Sequence, residues 1–175
     1  MSLANTEECN MKHTISVLVE NHSGVLSRIS GLFSRRGFNI ESLAVGPTQN
    51  EAISRITIIA DGDDYTVEQI EKQLNKLVEV IKVKTFAQGE CLARELLLVK
   101  VAATADKRQE IMTICEIANA KVIDITVSTM TLEVCDKYDH LKRFEALIEP
   151  YGIIEMVRTG TIAIQKGAEM ISTKK

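Results

Sequence analysis

The chain has 175 residues, 45% hydrophobic and 26% charged, with a formal net charge of −3, which suits one ordinary domain or two small ones. No Lys/Arg cluster stands out, Trp is absent and aromatics are only 4%, so the charge to displace counterions from phosphate and the platforms to stack bases are both missing, and a dedicated nucleic-acid binder is excluded. No apolar run is long enough to span a bilayer as a helix.

The first residues, MSLANTEECN, are polar and acidic, unlike a secretory signal. Residues 1–11 are expected to form a flexible leader. The four cysteines (Cys9, Cys91, Cys115, Cys135) form no C-x-x-C pair. Neither a zinc site nor a disulfide framework is implied, and a reduced, cytoplasmic setting fits. Cys115 and Cys135 fall in apolar stretches and are expected as small core residues.

From residue 12 the elements follow in order. HTISVLVE (13–20) alternates and is rich in Ile and Val, predicting a strand. Residues 24–36 place Val25, Ile29, Leu32 and Phe33 at helical spacing, and Gly37 stands where a left-handed stop is wanted. A strand over 38–46 ends at Gly46-Pro47, and SRITIIA (54–60) is the next. The acidic residues Asp61, Asp63 and Asp64 then read as a solvated turn. A helix over 66–78 puts Val67, Ile70, Leu74, Leu77 and Val78 on one face, and VEVIKVKTF (78–86) closes a β-α-β-β-α-β order, the ferredoxin-like pattern.

After the polar connector AQGECLAR (87–94), the second half repeats that order. Strands are predicted over 95–103, 121–128, 129–135 and 152–160. One helix covers 106–120; the other covers 138–150 with Leu141, Phe144 and either Leu147 or Ile148 inward. The fold class is therefore α+β, two ferredoxin-like βαββαβ domains in tandem at 12–86 and 95–167, with a tail at 168–175. A shift of 82 residues superposes the halves: Gly37 meets Asn119, Ile29 meets Ile111, Phe33 meets Cys115 and Ile40 meets Val122. Gly and Asn are the residues that best tolerate a left-handed backbone.

The polar turn ENHSG (20–24) does not repeat: under the same shift Gly24 meets Asp106 and Asn39 meets Lys121. A helix N-terminus carries unpaired N–H groups and partial positive charge. Gly24 lets a carboxylate approach the backbone, and Asn21 and Asn39 each offer a donor and an acceptor. Val25, Leu26 and Ile40 could receive an aliphatic side chain. That is chemistry suited to a free amino acid. Asn21 and Ser23 are equally ordinary turn and N-cap residues, so the residue types alone leave both readings open. The three histidines (His13, His22, His140) are scattered, no nucleotide-binding glycine motif is present, and no nucleophile–base set is evident. The chain reads as noncatalytic.

ISVLVENHSGVLSRISGLFSRRGFNIESLAVGPT closely resembles the N-terminal ACT domain of the small regulatory subunits of acetolactate synthase (acetohydroxyacid synthase), and RITIIADGDD, RELLLVKVAA and IIEMVRTGTIAI are similar to later segments of the same family. The resemblance spans residues 11–167, with Arg158-Thr159-Gly160 where the family often has Arg-Ser-Gly. It implies a subunit without an active site or a cofactor of its own. It implies a homodimer formed through the N-terminal ACT domains, and activation of a catalytic large subunit that holds thiamine diphosphate, Mg²⁺ and FAD. It implies feedback inhibition by valine in branched-chain amino acid biosynthesis; since a buried methylene is worth only about 0.8 kcal/mol, leucine and isoleucine are expected to bind as well. Carried over position by position, the valine site falls on Asn21, Gly24, Val25, Asn39 and Ile40. A free-standing tandem ACT sensor controlling another enzyme or a transcription factor is the alternative; turnover by the isolated chain would mark an enzyme instead.

Overall fold

In a computed structural model of the chain, residues 11–171 are described, the side chain of Met11 excepted. The leader expected over 1–11 falls almost wholly outside them, as does the end of the tail. The first half folds as β1 (Met11–Glu20), α1 (Val25–Arg36), β2 (Ile40–Pro47), β3 (Ile53–Gly62), α2 (Asp64–Leu74) and β4 (Val80–Phe86). Its sheet is antiparallel in the order β2-β3-β1-β4, leaving β2 and β4 at the edges. Alternation along β1 sends Ile15, Val17 and Val19 into one core with Val25, Ile29, Leu32 and Phe33 of α1 and Val67, Ile70 and Leu74 of α2.

The second half gives β5 (Cys91–Ala102), α3 (Arg108–Ala118), β6 (Lys121–Ile125), β7 (Thr129–Asp136) and α4 (Tyr138–Ile148). A short 3₁₀ turn (Glu149–Tyr151), β8 (Ile153–Arg158) and β9 (Ile162–Gln165) follow. The sheet order β6-β7-β5-β8 repeats that of the first half, and β9 also pairs with β5. The repeat extends to individual hydrogen bonds. Gly37 (φ 69°) and Asn119 (φ 52°) both end their helices in the left-handed region. Phe38 N donates to Phe33 O at 3.1 Å, and Ala120 N to Cys115 O at 2.8 Å, the same closure 82 residues on.

Several elements differ from the sequence expectation. Helix α2 stops at Leu74, not at residue 78: Asn75 caps it, Leu77 N and Val80 N close successive turns, and Val78 is 90% exposed. Strand β6 ends at Ile125, not at residue 128. The Thr126 hydroxyl accepts from Ser128 N and Thr129 N and turns the chain early. Of Leu147 and Ile148, Ile148 is the buried one. Cys115 is buried as expected, but Cys135 is exposed, because Met130, Leu132 and Val134 take the inward face of β7. Among the described residues the cysteines are free.

Strand β5 begins at Cys91, inside the expected connector, and β9 was not expected. Compact packing groups residues 11–92 with 163–171 and, separately, 93–162. Lys166 N donates to Glu90 O at 2.9 Å. Within the second unit Glu95 is buried yet ionisable: Arg158 reaches one carboxylate oxygen (3.4 Å) and Thr161 Oγ1 donates to the other (3.2 Å). Arg158 also pairs with Glu145 of α4 and lies over the Tyr138 ring at 5.8 Å.

The acidic turn has a definite role in part. Asp63 is the N-cap of α2, its carboxylate accepting from Thr66 N at 2.8 Å. Bonding to Thr66 holds its carboxyl below the ordinary 3.8. A depressed carboxyl stabilises the fold above its unfolded pKa and ceases to do so as pH falls through the folded one. Thus Asp63→Ala is expected to lower the thermal midpoint at neutral pH, and the gap from the native chain should close on acidification below about pH 4. Melting curves across that range check it, and a gap constant with pH would contradict the cap.

Candidate functional site

The polar turn sits where β1 leaves the sheet and α1 begins. Asn21 N donates to Ala52 O (2.8 Å) and Asn21 Nδ2 to Glu51 O (2.7 Å), tying the turn to the β2–β3 hairpin. One of the two amide N–H groups is thereby committed, and the Oδ1 lone pairs remain available as acceptors for an ammonium group. Neither Asn21 nor Ser23 caps α1. The N-cap position belongs to Gly24, at φ 90° and ψ −19°, with no side-chain cap bond. A Cβ built at Gly24 would meet nothing within 4 Å. The space beside Gly24 at the start of α1 is therefore open, with the positive end of the helix dipole next to it, an arrangement suited to a carboxylate. Helix α2, closed by Asp63, offers no such opening.

Apolar surface borders this corner. Val25 is buried in the core, whereas Leu26 is 41% exposed. Arg28 reaches from the first turn of α1 to the largely buried carboxylate of Glu79. His22, in the polar turn, is exposed but engaged twice, with Ser23 O (3.0 Å) and Glu20 Oε2 (3.1 Å). The Ser23 carbonyl, and after it the Glu20 carboxylate, raises its pKa above the ordinary 6.5.

Asn39 and Ile40 lie elsewhere. Ile40 pairs with Ala60 near the far end of β3, and Asn39 Nδ2 points at Asp61 Oδ2 at 3.5 Å, a long contact. Asn21 stands beside Ala52, just before β3 begins at Ile53. Eight residue steps along the strand separate the two positions, about 26 Å. One chain therefore brings Asn21, Gly24 and Val25 together at one end of the domain and Asn39 with Ile40 at the other. No small molecule touches both groups within a single chain. Among the described residues no group of three His, Cys, Asp or Glu side chains is placed to hold a metal ion, and no helix is long and apolar enough to cross a membrane.

Sequence reasoning missed three features: the Asp63 cap, the buried Glu95–Arg158 pair, and Arg108, which bridges α3 to the β6–β7 hairpin. The cap has a local signal, an aspartate three residues before Thr66. The other two join residues far apart in the chain.

Residues 15–82 match the family model described as the AHAS small subunit-like ACT domain, and residues 94–167 match that of the small subunit of acetolactate synthase. The chain is 48% identical over 157 residues to a probable acetolactate synthase small subunit of Archaeoglobus fulgidus, covering 90% of this chain and 98% of that one. It is 44% identical over 162 residues to the acetolactate synthase small subunit of Haemophilus influenzae, covering 92% and 99%. Its fold is similar to the crystal structure of the acetolactate synthase small subunit of Thermotoga maritima, with a TM-score of 0.85 and 37% identity over 91% of this chain and 99% of that one. Two matched family models in tandem, relatives covered nearly end to end and a repeated βαββαβ fold lead to one conclusion: the chain belongs to the acetolactate synthase small-subunit family, the ACT-domain regulatory subunits of that enzyme.

Proposed function

We propose that this subunit binds and activates a catalytic acetolactate synthase subunit and confers feedback inhibition by valine, which it holds at a two-fold seam between N-terminal ACT domains. The observation that carries the reading is the separation of the two groups of site residues along the open edge strand β2. In an antiparallel pairing of β2 with its copy, the Ile40 end of one strand meets the Pro47 end of the other. Pro47 pairs with Ser54, and so lies at the same end of the sheet as Asn21 and Gly24. The two-fold thus brings Asn39 and Ile40 of one protomer to the Gly24 turn of its partner. An edge strand calls for such a cover.

In this arrangement the valine carboxylate meets the uncapped backbone at Gly24 and Val25, its ammonium meets Asn21 Oδ1 and the partner's Asn39, and its side chain rests on Leu26 and the partner's Ile40. Selectivity is modest, because a further methylene changes affinity by only about 0.8 kcal/mol; leucine and isoleucine compete. Ligand binding and dimerisation reinforce each other, and coupling to the catalytic subunit is on the order of 1–3 kcal/mol. The thiamine diphosphate, Mg²⁺ and FAD of the reaction belong to that catalytic subunit. Asn39→Ala is expected to weaken valine binding about tenfold, the effect of one lost hydrogen bond to a charged group, with the ability to activate the catalytic subunit kept. Calorimetry with valine, and acetolactate formation with the catalytic subunit of the same genome, check both halves. Unaltered valine affinity would place the site elsewhere.

A further inference from the structure

The second domain has the same plan as the first, so its equivalent corner is a natural place to look for a second effector. It contains two charges of its own. Under the 82-residue shift Asn21 becomes Ala103, Gly24 becomes Asp106 and Leu26 becomes Arg108. The backbone anchor persists, with Ala103 N donating to Ser128 O at 2.8 Å as Asn21 N does to Ala52 O. The side-chain anchor is replaced. Ala103 has no amide to reach the hairpin, and the Arg108 guanidinium crosses the corner instead. Its Nε donates to Ala103 O (3.2 Å) and its Nη2 to Thr126 O (2.5 Å) and Val127 O (2.7 Å). Val127 O occupies the hairpin position that Glu51 O occupies in the first copy.

A cation in the first turn of a helix opposes the dipole; three carbonyl acceptors compensate. Asp106 stands where the first copy has its bare glycine. Its backbone is not left-handed as that of Gly24 is, α3 begins only at Arg108 with no side-chain cap bond, and its carboxylate is engaged with Thr104, which keeps it below the ordinary 3.8.

We propose that Arg108 is the resident occupant of the second domain's corner: its guanidinium staples the β5–α3 turn to the β6–β7 hairpin and closes that corner to the ammonium group of a free amino acid. The positive group that a free amino acid would bring is here a side chain of the protein. The proposal rests on the reading of the Gly24 corner as the effector site, and the test separates the two. In the full chain, Arg108→Leu, which restores the first copy's residue, is expected to speed amide exchange at Ala103, Thr126, Ser128 and Thr129 about tenfold. Exchange at Val99 and Leu132 should stay slow, and valine binding by calorimetry should keep its stoichiometry. Should Arg108→Leu fold poorly, Arg108→Gln, which keeps the length and drops the charge, takes its place. Gly24→Asp alone is expected to remove all valine heat. Unchanged exchange at the hairpin would overturn the proposal, as would valine binding that survives Gly24→Asp and disappears when Arg108→Leu is added. Binding that survives both substitutions refutes the Gly24 reading alone, and the exchange result then decides the staple.

Discussion

Gly24→Asp is expected to abolish valine binding and feedback inhibition while the subunit still activates its catalytic partner. Two independent costs act. Gly24 holds φ 90°, and a side chain there costs about 1–2 kcal/mol of local strain, with Asp among the more tolerant residues. A Cβ meets no atom within 4 Å, so the fold accepts the change. The added carboxylate then sits against the first-turn N–H groups, caps the helix from within and repels the ligand's own carboxylate. At an effective dielectric near 20, that repulsion at contact is worth roughly 3 kcal/mol, about a hundredfold in affinity. Gly24→Ala separates the terms, since it carries the strain without the charge, and a loss of about tenfold or less is expected. Calorimetry gives the affinities and acetolactate formation at saturating valine gives the response. Equal losses for the two variants would show that backbone geometry, rather than charge, governs the site.

The largest stability effect is expected at Arg158. Glu95 is 4% exposed, and Arg158 and Thr161 are the partners of its two carboxylate oxygens. Removing one partner of a buried pair leaves a charge without compensation, which typically costs 3–5 kcal/mol. Arg158 keeps some solvent contact and Glu145 retains Lys142 at 3.1 Å, which places Arg158→Ala near the lower figure, at about 3 kcal/mol. Part of that loss is the guanidinium's packing over Tyr138. The double variant Glu95→Leu/Arg158→Met removes both charges together and should recover at least ~1 kcal/mol of it. Urea unfolding followed through the β5 and β8 amides measures the difference. A loss under ~1 kcal/mol for Arg158→Ala would show that Glu95 finds water or another partner.

The features readable in the sequence were those whose cause is local. Gly37 and Asn119 stop their helices because few residues tolerate that backbone, and both lie in the left-handed region with the same closing bonds. The inward face of α1 followed from spacing alone, and that of α4 did so apart from the choice between Leu147 and Ile148. Apolar spacing carried the α2 prediction too far, because Leu77 does join the core, but from a turn rather than a helix. Cys135 was misplaced for a related reason: an apolar stretch does not say which side of a strand is inward until the register is known. The Gly24 turn announced itself by failing to repeat. That its proposed partners Asn39 and Ile40 lie at the other end of the same domain needed the pairing of β2 with β3. The staple formed by Arg108 needed the fold in full, since nothing near Arg108 in sequence indicates the carbonyls it meets.

Residues 163–171 pack with 11–92, while the intervening 93–162 form the other unit. The first unit is thus discontinuous in the chain, and the second is threaded into it as an insert. During synthesis, domains fold as their residues emerge, and the last residues of the first unit emerge only after those of its insert. A fragment cut at the connector to isolate the N-terminal half would lack Ala163 and Ile171, both buried in the whole chain. A faithful excision keeps both ends and replaces the insert with a short loop.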